Sequence, residues 1–225
     1  MRKLIVFLIL LGILLAVVDR VAVAGVQREV ARQVAAQYDL STPPTVEVRG
    51  IPFLTQAISG HYERIDVGIG AWTTPDGAKI SRIDAVLHGV NAPLMDLIQN
   101  TAKADIRAER VTGTVVISRA TLDARAPSGL RVEGNGDDTL NVTGKITVAG
   151  IAIPVTAKMK IAVVPGGIRL TPESVNGIQV PNASQALSFS VPIKDLPLNL
   201  KIEKVRTIAE GLAVDGSATN VPLRA

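Results

Sequence analysis

The stretch Leu140–Leu170, LNVTGKITVAGIAIPVTAKMKIAVVPGGIRL, decides the fold class of this chain. Leu140 to Val148, Ile153 to Val164 and Ile168 to Leu170 read as strands. They are rich in β-branched and aliphatic residues and are separated by Ala149-Gly150 and Pro165-Gly166-Gly167, which supply turns. Downstream, Phe189 to Ile193, Leu198 to Ile208 and Leu212 to Pro222 continue the pattern, with corners at Asp195-Leu196-Pro197 and Glu210-Gly211 and one helical turn at Asn182 to Ala186. Upstream, Gly134 to Asp138 forms a polar turn after the strand Leu130 to Val132. Ile106 to Ser118 is a strand, and Ala120 to Ala126 is a short helical turn. His61 to Trp72 and Lys79 to Val90 form a hairpin around Pro75-Asp76-Gly77, and Thr45 to Arg49 is a further strand.

The N-terminal part differs in kind. Met1-Arg2-Lys3 is basic, Leu4 to Val18 is apolar with Gly12 the only interruption, and Ala22-Val23-Ala24 offers small residues at signal-peptidase spacing. Residues 1–24 therefore read as a signal peptide or a signal anchor, and the chain as exported to the cell envelope or periplasmic space. Asp19 and Arg20 are unusual inside a leader cut after Ala24. Uncut, the run reaches the length of about 20 apolar residues that a span needs only by extending through Val21–Ala24. Val23, Val26, Val30, Val34 and Tyr38 then recur at three- and four-residue steps, which predicts an amphipathic helix over Val21–Tyr38 ended by Pro43-Pro44. Residues 25–225 are read as one α+β domain with a large, mainly antiparallel sheet. The long helix covers the apolar face of that sheet, and strong curvature around it leaves an aliphatic groove.

Chemistry is sparse. There is no cysteine, so no thiolate nucleophile or thiolate metal site exists. The chain has no G-x-S-x-G, H-E-x-x-H, Walker or dinucleotide-binding motif, so neither a catalytic residue, a cofactor nor a metal is expected. Of the two histidines, His61 and His88, neither lies beside a recognisable partner. Asp137-Asp138 lacks the alternating oxygen ligands of a calcium loop and reads as a turn. Aromatic residues make up only 3% of the chain, too few for the stacking platforms of single-stranded nucleic acid or the usual sugar sites. Half of the net charge of +4 lies in the first 24 residues, as Arg2, Lys3 and Arg20 against Asp19. The remainder is local: between Lys145 and Arg206 the basic residues Lys145, Lys158, Lys160, Arg169, Lys194, Lys201, Lys204 and Arg206 outnumber Glu173, Asp195 and Glu203. That face suits anionic lipid headgroups, or is an ordinary solvated sheet face.

What remains is apolar. Ile51, Phe53, Leu54 and Ile58 lie in an apolar segment bracketed by Gly50 and Gly60, which reads as a short helix after Pro52. Leu94, Met95, Leu97 and Ile98 lie in another after Pro93. They are either core capping the end of the sheet or a mouth through which acyl chains enter, where each buried methylene contributes about 0.8 kcal/mol.

The segment GIPFLTQAISGHYERIDV (Gly50–Val67), following an exported leader and a helix, resembles the LmeA-like phospholipid-binding proteins of actinobacterial envelopes. VTGTVVIS (Val111–Ser118), LPLNL (Leu196–Leu200) and EGLAV (Glu210–Val214) extend the likeness over nearly the whole chain, Gly50–Leu54 being its most specific part. The resemblance implies a BPI-like, TULIP-like tube with a long helix in a curved sheet. It also implies binding of phospholipids such as phosphatidylinositol, a membrane surface as partner, and support of envelope lipid or lipoglycan assembly. Two other readings are weighed against lipid binding: an envelope scaffold docking a protein partner, and an esterase or glycosidase relying on His61 or His88.

Overall fold

The computed structural model describes residues 2–73, 77–92, 106–127, 130–134, 139–148, 151–165, 167–176, 187–193 and 200–223. The expected class holds: α+β, with a long N-terminal helix and antiparallel sheets, one of them strongly curled. The leader and the amphipathic segment form one helix, α1 (Arg2–Gln37). Gly12 and Gly25 lie in its interior, where an added Cβ would meet nothing within 4 Å. It ends where Tyr38 and Leu40 donate back to the Val34 and Ala35 carbonyls and Asp39 turns to φ +49°.

The further elements are β1 (Thr45–Arg49), α2 (Phe53–Ser59), β2 (His61–Ile69), β3 (Trp72–Thr73), β4 (Lys79–Asn91), β5 (Arg107–Ser118), α3 (Arg119–Arg125), β6 (Leu130–Gly134), β7 (Thr139–Val148), β8 (Ile151–Val164), β9 (Gly167–Val175), β10 (Phe189–Pro192), β11 (Lys201–Ile208) and β12 (Gly211–Pro222). Among the described residues one sheet runs β1-β2-β4-β5-β12-β11, with β3 paired to β4, and a second runs β10-β9-β8-β7-β6. The helices expected at Pro93–Asn100 and Asn182–Ala186 fall outside the described residues.

The chain forms two compact units: Met1–Ile69 with Asp84–Thr112 and Ala218–Ala225, and Gly70–Ile83 with Gly113–Ser217. In the first, β1 and β2 pair antiparallel with Val46 opposite Val67 and Val48 opposite Ile65. These apolar residues share one face, because partners across a ladder point the same way. Thr45, Glu47 and Arg49 share the other with Gly68, Asp66 and Arg64. α1 packs on β1 and α2, burying Asp19, Val23 and Ala31.

In the second unit, burial alternates along the middle of β7 (139–143), β8 (154–160) and β9 (168–170). Leu140, Val142, Val155, Ala157, Met159, Ile168 and Leu170 are buried together with Ile117, Leu122, Val205, Leu212 and Val214. Strand β9 extends beyond Leu170 to Val175 although Pro172 lies within it. The register shifts between Lys158 and Met159 on β8, opposite Pro172 and Ser174, and such an irregularity is where a sheet tolerates a residue without an N–H. Helix α3 starts at Ser118, whose Oγ accepts the Thr121 N–H (3.3 Å). The buried Thr121 hydroxyl accepts from the Lys79 N–H (2.7 Å) and donates to the Lys79 carbonyl (2.9 Å).

Candidate functional site

The segment from Gly50 to Gly60 is built as a clasp. Gly50 takes φ +99°, the Ile51–Pro52 bond is cis, and Gly60 closes α2 at φ +70°. The Gln56 side chain holds both flanking strands: its Nε2 donates to the Arg49 carbonyl (3.1 Å) and its Oε1 accepts the Glu63 N–H (3.1 Å). A side chain at position 50 would be strained by φ +99° and would displace the Gln56 amide, since a Cβ there would lie 2.5 Å from Gln56 Nε2.

Pro52 occupies the N-cap of α2 and offers no side-chain oxygen. The cap comes instead from α1. Asp19 Oδ1 accepts the Leu54 N–H at 2.8 Å. Its other oxygen accepts from the Arg20 guanidinium. Asp19 is thus buried without an unpaired oxygen, as burial of a carboxylate requires. On the other side of α2, the Phe53 ring is buried and lies 6.2 Å from that of Tyr62, whose hydroxyl pKa is raised by burial.

The sequence candidates separate here. Phe53 is core and Leu54 is half-buried, whereas Ile51 and Ile58 are 82% and 80% exposed. Leu94, Met95, Leu97 and Ile98 lie outside the described residues. Ile51 and Ile58 have company on α1, where every large apolar side chain from Leu4 to Val18 is exposed. Leaving so many Leu, Ile, Val and Phe side chains in water forgoes on the order of 20 kcal/mol of burial. α1 is long and apolar enough to cross a membrane, as a signal sequence or an anchor would. An open groove on α1 is lined by Ile13, Ala16, Val17, Arg20, Val21, Ala24 and Arg28, none of them a sequence candidate. Sequence reasoning missed Asp19 and Gln56 as positioning residues. The one available signal was an acid interrupting an otherwise apolar leader.

Charged residues segregate by face. In the first unit Arg49 pairs with Glu47 and Asp66, and Arg64 with Asp66 (2.6 Å). These two guanidiniums hold the Asp66 carboxyl below its usual range even though desolvation, the largest single influence, opposes them. In the second unit the register of β6 to β9 gathers Arg131, Lys145, Lys158, Lys160 and Arg169 on the solvent face of the second sheet, with Glu133 and Glu173. Lys158 pairs with Glu173 at 3.6 Å. Lys201, Lys204 and Arg206 are exposed on β11, and Lys194 lies outside the described residues. His61 Nδ1 meets the Asn91 side-chain oxygen at 2.8 Å, and His88 is half-buried on β4. Among the described residues no three His, Cys, Asp or Glu side chains gather as metal ligands would.

An antiparallel α+β protein carrying an N-terminal helix of membrane-crossing length is the class that fold and site define. Residues 17–217 match the LmeA-like phospholipid-binding family, and the chain belongs to it. No curated protein and no solved structure matches. The family is described by binding phospholipid rather than by catalysis. Its match begins at Val17 and so includes Asp19.

Proposed function

We propose that this protein binds a phospholipid and carries it or holds it at the outer side of the cytoplasmic membrane, in support of envelope lipid or lipoglycan assembly, without catalysing a reaction. The observation that carries this reading is the family match over residues 17–217. The apolar surface left open at α1 and α2 is consistent with it. Ile51, Phe53, Leu54 and Ile58, with Leu94, Met95, Leu97 and Ile98, are the proposed acyl-chain contacts. The headgroup, phosphatidylinositol among the candidates, lies at a polar or basic rim. In the second unit the side chains of Leu122, Leu140, Met159, Ile168, Leu170 and Leu212 are wholly buried against one another, so the acyl chains are assigned to the first unit. The same filled core is what a scaffold docking a protein partner would also have, and this is the second reading.

The test is native mass spectrometry of the full-length chain released from detergent, with the ejected lipid identified, alongside uptake of labelled phosphatidylinositol from vesicles. Stoichiometric phospholipid, lost in a folded Leu54→Asp variant, is expected. A chain that retains no lipid and takes none up would transfer the case to the scaffold reading.

A further inference from the structure

We infer that residues 2–24 are retained in the working protein as a membrane anchor, and that Asp19 fixes α2 against the anchor so that Ile51 and Ile58 enter the lipid surface beside it. Three observations meet here. The first is that Asp19 supplies the N-cap that Pro52 does not, accepting the Leu54 N–H at 2.8 Å across 35 residues of sequence. Cleavage after Ala24 would remove it and leave the Leu54 N–H without that partner. The cleavage-like residues are themselves folded: Ala22, Val23 and Ala24 lie within continuous helix, with Val23 buried.

The second observation is length. Leu4–Val18 rises about 22 Å as helix, short of a hydrocarbon core of about 30 Å. Extension through Val21–Ala24 closes the gap and brings Asp19 and Arg20 within about two turns of the boundary. There the carboxylate is neutralised by Arg20 and accepts the Leu54 N–H, and the half-exposed Arg20 reaches toward headgroups along its own aliphatic stem. Arg2 and Lys3 at the other end keep the N-terminus cytoplasmic, which puts α2 on the outer side.

The third is exposure. Ile51, just before α2, and Ile58, in its last turn, are 82% and 80% exposed, and α2 is held to α1 one residue beyond the apolar run. Two large aliphatic side chains in that place continue the apolar surface of the span. The occupant that fits is a bilayer, because the neighbouring α1 run is long and apolar enough to lie in one. This inference uses the membrane-crossing length of α1 and does not require that the protein carry phospholipid.

Two measurements on the full chain test it. Trypsin cuts after Arg20 and Arg28, so the peptide VAVAGVQR (Val21–Arg28) spans the Ala24–Gly25 bond. Its recovery from protein purified out of membranes is expected, and recovery of GVQR alone would overturn retention. The absence of native cysteine permits single labelling of Ile51→Cys, Ile58→Cys and, on the solvent face of β10, Ser190→Cys with an environment-sensitive dye. In vesicles of phosphatidylcholine with a minor share of phosphatidylglycerol, the dyes at positions 51 and 58 are expected to shift to the blue. They should also be quenched several-fold less by aqueous iodide than the dye at 190. Adding Asp19→Ala should remove that protection at 51 and 58 while the dye at 190 is unchanged. Equal quenching at all three positions would overturn the seating of α2. Seating without retained phospholipid would fail the carrier reading alone.

Discussion

Asp215 accepts from Arg206 at both carboxylate oxygens (2.9 and 3.1 Å) and from the Thr114 hydroxyl (2.7 Å). The Arg206 guanidinium holds this carboxyl below its usual range against partial desolvation, with Thr114 assisting. Because the folded pKa is the lower one, the pair contributes stability above the ordinary carboxylate value of about 3.9, and that contribution is lost as pH falls through the folded value. Asp215→Asn is therefore expected to cost about 0.5–1 kcal/mol near neutrality. The gap to the parent should close in acid, read from urea midpoints at several pH values; a gap independent of pH would refute the assignment. Gly50 gives a second residue-scale prediction. With φ +99° and Gln56 in the space a Cβ needs, Gly50→Ala should destabilise by about 1–3 kcal/mol. Gly25→Ala, in open helix interior, should stabilise by about 0.5–1 kcal/mol. Thermal melts of the two variants in one detergent decide both; equal shifts would mean that backbone conformation is not the cause.

At the scale of elements, strands were legible wherever alternation met a turn. β7 and β8 lie within two residues of their expected limits, since Ala149-Gly150 and Pro165 punctuate the sequence itself. The end of β9 was not legible, because Pro172 reads as a strand breaker and the extra residue Glu173, which absorbs the register shift, is defined only by pairing with Lys158 and Met159 of β8. Helix α2 was legible from its proline and glycine brackets, but the source of its cap was not, since Asp19 is brought to it only by packing of α1. Removing the cap with Asp19→Ala should raise hydrogen exchange at Leu54 several-fold and leave β7 and β8 protected. Unchanged exchange at α2 would show that the cap contributes little. Met159 lies at the centre of the second unit with no exposed surface, so Met159→Ala should cost about 2–5 kcal/mol in denaturant unfolding. A loss under 1 kcal/mol would mean that this core can collapse around the gap.

For the whole molecule, apolar surface is distributed unevenly. The second unit buries its aliphatic residues among themselves, and the α1 run leaves its own uncovered. In water that difference should appear as aggregation of the full chain, relieved by detergent or vesicles. Sedimentation with and without detergent reads this directly, and a monodisperse detergent-free monomer would contradict it.

The sequence by itself determined the α+β class, the apolar N-terminal run and the glycine-bracketed helix, because each is written in local periodicity and punctuation. It also carried the family likeness through Gly50–Leu54. Only tertiary structure decided that the leader and the following helix are one element, that Phe53 is core while Ile51 and Ile58 are exposed, and that Asp19 caps α2. The physical reason is the same in each case. A buried carboxylate and an exposed isoleucine are defined by what lies across space from them, and neighbours in sequence do not specify that.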